Sequence, residues 1–313
     1  MFVACSSSCL DRHLADQHGD QDGARASSEA RAHRYLGGVN RRLAGSWQRY
    51  EQHRAQVMAL ALATEMAPAA ARSAGDIVIL GAGNGSDLDL PRLADTFHEI
   101  HVVDLDGEAL ERMRQDLPAP VRQRVVPHAP VDLSGFMDRL DVWGESFPDD
   151  ATLGQAASAA ARTIHARLGR EFDVVLSTGV LSQLIVPFRR AWITSGLNWQ
   201  RLDAAITAVH LATLVRSTRS GGRAALAFDV LSSNDTPALS ALVNRGAAEL
   251  AATVDAEVAA GSIFLQPHPT TLLQQLQFPG MAPMVREPRL TAPWLWNLGD
   301  ALQLVYGLSF RRP

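Results

Sequence analysis

The stretch 76-DIVILGAGNGSDLDLPRLADTFHEIHVVDLD-106 decides how this chain is read. Its apolar run Ile77–Leu80, bounded by charge and glycine, has the length of a buried parallel strand. The run breaks into Gly81-Ala82-Gly83-Asn84-Gly85, where missing side chains let the backbone turn sharply and approach a ligand. A helix is expected next, with Leu88, Leu90, Leu93, Ala94 and Phe97 on one face and Pro91 in its first turn. A second strand, Glu99–Val103, then delivers Asp104 about 20 residues beyond the turn, where a β-α-β nucleotide fold needs a carboxylate for a ribose.

The glycine spacing separates two nucleotide folds. A dinucleotide-binding turn reads G-x-G-x-x-G, and its third glycine would fall on Ser86. The chain instead carries G-x-G-x-G at 81, 83 and 85, followed by Asp104 in VDLDGEAL. In this it resembles the class I S-adenosylmethionine-dependent methyltransferases, strongly over 76–110, moderately to about 230 and weakly at both ends. The resemblance implies an α/β fold: a seven-stranded, mostly parallel, doubly wound sheet with an antiparallel last strand, plus an N-terminal helical extension. It implies S-adenosylmethionine as cofactor, with Gly81, Ala82, Gly83, Asn84 and Gly85 under its methionyl part. Asp104 and the adjoining Leu105 fall at the ribose. Asp132 falls where the family places a polar residue facing the adenine amine, and Thr178 and Gly179 fall near the transferable methyl. Asp132 reads equally as a cap for a helix 133–140, and Asp106 as the cap of the helix from Gly107.

One position departs from the pattern. Many members carry an acid two residues before the first glycine, near the methionyl amine; here it is Ile79, and Asp87 or Asp89 either replaces it or caps the next helix. A methyltransferase fold without turnover, serving as a scaffold, and an NAD-dependent oxidoreductase are the rival readings.

Composition narrows the rest. All 29 positively charged residues are arginine, so a lysine Schiff base, a pyridoxal phosphate enzyme and a P-loop lysine are excluded. Net charge is −4 without a long basic run, so nucleic acid is not an expected partner. Cys5 and Cys9 make neither a disulfide framework nor a four-cysteine zinc site, and the scattered histidines, His98 and His101 the closest, show no metal spacing. No stretch approaches the roughly 18 apolar residues of a membrane span, and the chain reads as cytoplasmic.

Along the chain, residues 1–30 read as a disordered segment, 31–70 as a helical extension and 71–313 as the methyltransferase domain. The helical pattern from Ser46 to Met66 places Trp47 and Tyr50 either over the cofactor or against the sheet. The expected elements that follow are a third strand 121–128, an inserted loop 141–153, a helix 154–168 and a fourth strand 172–177. Residues 185–200 form either a lid walled by Phe188, Trp192 and Trp199 or a packed helix pair. A helix 203–219 directs His210 inward, and the fifth strand, 223–230, ends near Asp229. One long helix from Thr236-Pro237 to Ala260, a short one at 269–277 and a terminal hairpin, 285–296 with 301–310, complete the chain. The Asn/Asp-Pro-Pro-aromatic signature of base and glutamine methylation is missing after the fourth strand, which leaves a small molecule or an exposed side chain as methyl acceptor. Asp229 and His210 are the candidate bases, with Gln183 as an orienting group.

Overall fold

The computed structural model describes residues 28–63, 75–185, 196–260 and 268–313. Helices α1 (Ser28–Leu43) and α2 (Glu51–Leu62) precede the first strand. The α/β body then runs β1 (Ile77–Leu80), α3 (Leu90–Ala94), β2 (Ile100–Val103), α4 (Gly107–Gln115), α5 (Ala119–Arg122), β3 (Val125–His128), α6 (Leu140–Glu145), α7 (Asp150–Leu168) and β4 (Phe172–Thr178). It continues with α8 (Gly196–Ser217), β5 (Thr218–Ser232), α9 (Ala247–Ala259), α10 (Pro269–Leu276), β6 (Arg286–Leu290), β7 (Trp294–Asn297) and β8 (Leu302–Arg311).

Strand order is β3-β2-β1-β4-β5-β8-β6, with β7 also paired to β8. The first five strands are mutually parallel, and β8 inserts antiparallel beside β5. A dinucleotide fold lacks that reversed strand, so the sheet is the one the methyltransferase resemblance implies. The apolar run of β1 is central because helices cover both faces: Val78 and Leu80 belong to one core, Ile77 and Ile79 to the other. The helix after the glycine turn starts where Asp89 accepts the Arg92 N–H, and Leu88, Leu90, Leu93, Ala94 and Phe97 are all buried. Among the described residues, no helix is long and apolar enough to cross a membrane.

Several expectations need correction. The sheet has eight strands, not seven, because the first arm of the hairpin divides into β6 and β7. Proline at 288 and 293 cannot donate to the ladder, and Glu287 takes φ +50° beside the register shift between Arg286 and Arg289. The third strand starts at Val125 because Pro118 and Pro120 favour the short helix α5 over 119–122. The expected loop 141–153 holds α6 and the first turn of α7, which starts at Asp150 because Asp149 accepts the Thr152 N–H. Helix α8 begins at Gly196 rather than Asp203, and β5 is longer than expected at both ends. The long helix after Pro237 is a 3-10 segment, Pro237–Leu242, and then α9; Asn244 at φ +72° breaks it.

The disordered segment expected over 1–30 lies outside the described residues up to 27, and α1 already begins at Ser28. Of the lid residues, Phe188 and Trp192 lie outside the described residues, and 196–200 form the first turn of α8.

Candidate functional site

The cradle forms where β1 ends. The Gly81 and Ala82 N–H groups both donate to the Val103 carbonyl, at 2.9 and 3.1 Å, which turns the chain across the mouth of β2. Gly81, Gly83 and Gly85 take φ values of +79°, +48° and +66°, conformations that side chains disfavour. At Gly81 sterics add to this, because a Cβ there would lie 2.4 Å from Val180 Cβ.

Asp104 faces this turn. Its Oδ2 accepts the Gly83 N–H at 2.8 Å and its Oδ1 accepts the Asp106 N–H at 2.9 Å. Burial pushes its carboxyl above the usual range, and hydrogen bonds from the Asp106, Gly83 and Leu105 backbone oppose that shift. Asp104 also lines the adjoining cavity, where its carboxylate is placed to accept from a ligand. Asp106 instead caps α4, accepting the Ala109 N–H.

Asp104, Leu105 and Asp132 line one narrow cavity, and Leu36 and Asn40 of α1 form another part of its wall. Asn40 ties α1 down at two points: its side-chain amide donates to Asp106 at 3.0 Å, and its carbonyl accepts from the Asn84 side chain. This helix falls within the helical extension expected over 31–70, but nothing in the sequence singled out Leu36 and Asn40 as residues of the site. Asp132 is held by its own loop, accepting from Ser134 N, Ser134 Oγ and Met137 N at 2.6–2.9 Å, while still facing the cavity.

A second half-buried acid stands beside the turn. Asp89 is the helix cap, whereas the Asp87 carboxyl sits beside the Thr178 hydroxyl, with Arg54 and Asp104 nearby. Burial pushes Asp87 up to about 6, against the hydrogen bond from Thr178 and the charge of Arg54. Arg54 is engaged elsewhere, donating to the Trp47 and Ser86 carbonyls at 2.7 and 2.9 Å with its guanidinium 3.5 Å from the Trp47 ring centroid. Ile79, at the position of the family's usual acid, is fully buried in the sheet core.

At the end of β4, the Thr178 hydroxyl also reaches the Gly81 carbonyl at 3.4 Å, and Gly179 turns with φ +54°. Tyr50, just before α2, is buried edge-on against Trp296, while Trp47 is 45% exposed. Of the candidate bases, His210 is fully buried in the face of α8, its Nε2 2.8 Å from Ser177 Oγ, and burial pulls it down to about 4. Asp229 is buried at the end of β5; burial raises its carboxyl and a hydrogen bond from Ser182 opposes the rise. Gln183 lines the narrow cavity with its amide donating to the Gly179 carbonyl at 3.3 Å.

Asp76, His98 and Glu99 gather at the opposite end of the sheet. Arg170 ion-pairs with both acids there. His101 stacks on His128, with Nδ1 to Nε2 at 2.8 Å, instead of meeting His98.

No family model and no curated protein matches the chain. Solved structures do. An S-adenosylmethionine-dependent methyltransferase from Anabaena variabilis aligns at 12% identity over 92% of this chain and 96% of its own, TM-score 0.48. A geranyl diphosphate methyltransferase in complex with S-adenosylmethionine aligns at 10% identity over 88% and 91%, TM-score 0.40. The glycopeptide N-methyltransferase MtfA aligns at 13% identity over 83% and 90%, TM-score 0.39.

Proposed function

We propose that this chain is an S-adenosylmethionine-dependent methyltransferase. The observation that carries the reading is the placement of Asp104: its carboxylate closes the glycine turn and lines the cavity together with Leu105 and Asp132. A ligand hydroxyl donating to it contributes roughly 1.5–3 kcal/mol.

Asp87 supplies what Ile79 lacks. A partly desolvated carboxyl with a raised pKa, hydrogen-bonded by Thr178, suits an ammonium group. This favours a working enzyme over a scaffold. When bound, the cofactor supplies a methyl on a sulfonium, already activated for in-line displacement. The protein's share is alignment and exclusion of water, and orientation alone contributes on the order of 7–11 kcal/mol. Thr178 and Gly179, at the carboxyl end of β4, stand where the acceptor must approach.

A thermal-shift series tests this. S-adenosylmethionine raises the melting temperature of the wild type and leaves that of Asp104→Ala unchanged. No shift at millimolar cofactor would remove the basis of the proposal.

A further inference from the structure

A second set of buried groups lies under α2, away from the narrow cavity. Trp296 of β7 stacks on His53 at 4.0 Å between centroids, meets Tyr50 edge-on at 5.2 Å, and stands 3.1 Å from where a Cβ of Gly179 would be. Across the β7–β8 ladder Trp296 is paired with Gln303, whose amide donates to Ser232 Oγ at 3.2 Å. Asp229 pairs with Val305 of β8, two positions from Gln303, which puts the two side chains on one face of the sheet.

Four of these side chains are more than nine-tenths buried and carry a polar atom without a partner: His53 Nε2, Asp229 Oδ1, Trp296 Nε1 and Gln303 Oε1. Burying one such atom unpaired costs about 1–3 kcal/mol, so a group of them in one neighbourhood marks a place built for something else to occupy. Their polarity is readable. The Trp294 indole can only donate, so His53 Nδ1 accepts from it at 3.1 Å and the neutral ring carries its proton on Nε2. Burial, with the charge of Arg54 second, pulls His53 down to about 3, so it stays neutral. The neighbourhood therefore offers N–H donors from His53 and Trp296, and oxygen acceptors from Asp229 and Gln303.

We propose that this cluster is the methyl-acceptor site, and that it takes a small, planar, uncharged molecule whose nucleophile is a hydroxyl, a hydroxyarene in the simplest case. The assignment rests on the methyltransferase reading for its chemistry. Helix α2 and the β7–β8 ladder enclose the groups, which excludes a polymer lying across them, and the carboxylates of Asp87, Asp104 and Asp229 disfavour an anion. The acceptor's hydroxyl oxygen receives hydrogen bonds from His53 and Trp296, and its proton faces Asp229. As the oxygen bonds to the methyl carbon, its proton passes to the Asp229 carboxylate, and the electron pair of the broken carbon–sulfur bond stays on sulfur.

Phenol serves as the probe. In protein labelled with ¹⁵N at the indoles, with Trp296→Phe identifying the signal, phenol moves the Trp296 N–H resonance. Anisole, which lacks the hydroxyl proton, binds about tenfold more weakly or worse. Asp229→Asn weakens phenol to a similar degree, and Gln303→Leu serves as an independent variant should the first fail to fold. A Trp296 signal indifferent to phenol, anisole equal to phenol, or contact of that N–H with bound water alone would overturn the proposal. Repeating each titration with S-adenosylhomocysteine separates the two readings. Cofactor binding without a phenol response sinks only the acceptor assignment, whereas a phenol response without cofactor binding sinks the methyltransferase reading.

Discussion

Replacing Asp87 by asparagine should stabilise the free protein while weakening its hold on the cofactor. Burial raises this carboxyl from the ordinary range to about 6, so the folded state resists its ionisation. A raised carboxyl pKa contributes stability that is complete below the unfolded value, near 4, and is lost as pH rises through about 6. The shift of about two pH units corresponds to at most ~3 kcal/mol at pH 8, and less where the surface-reaching part of the residue keeps contact with water. A neutral amide in the same place carries no such cost. Urea denaturation at pH 8 should therefore show Asp87→Asn more stable by about 1–3 kcal/mol. At pH 4 the difference should shrink toward zero. Calorimetry should show the reverse for the ligand: wild-type affinity for S-adenosylmethionine rises between pH 5 and 7, as the carboxylate forms to meet the ammonium, and the variant lacks that rise. A destabilised variant at pH 8, or a stability difference independent of pH, would refute the claim that this acid is held ready for a cation.

Other consequences are simpler to read. Gly81→Ala meets Val180 at 2.4 Å in a positive-φ conformation and should lower the melting temperature sharply, whereas Gly154→Ala, with nothing within 4 Å inside helix α7, should raise stability by about 0.5–1 kcal/mol. Arg223 donates to the Leu60 and Ala61 carbonyls at the end of α2; Arg223→Met should cost about 1–3 kcal/mol and speed hydrogen exchange in that helix. His53 and His210 are held neutral well below the ordinary histidine range, so stability should fall as pH drops below about 6.5, and His210→Asn should blunt that fall in acid denaturation.

The parts of this molecule that were legible in sequence are those whose cause is local. Ile77–Leu80 announces a buried strand by its composition, and the turn announces itself by three glycines, each now seen at positive φ. Asp106 and Asp149 both cap helices by the same short-range hydrogen bond, yet only the first was legible, because Asp149 sits among turn-forming residues that read as loop. The antiparallel final strand showed in the alternation of Leu302, Leu304, Tyr306 and Leu308, whereas the division of its partner arm depends on two prolines whose effect is decided by register.

What long-range packing assigns was not legible. Asn40 reaches Asp106 and Asn84, 66 and 44 residues away, from a helix whose sequence shows no tie to the glycine turn. The choice between Asp87 and Asp89 turned on which carboxyl faces Thr178 and which faces the Arg92 amide. The hydrogen bond between His53 and Trp294 spans 241 residues, a contact no spacing rule contains.

Isothermal titration of S-adenosylmethionine and of NADH into the wild type and Asp104→Ala tests the adenosyl cradle most directly. S-adenosylmethionine should bind the wild type measurably and the variant about 100-fold or more weakly, and NADH should give no heat. Equal affinity in both proteins, or tighter binding of NADH, would contradict it.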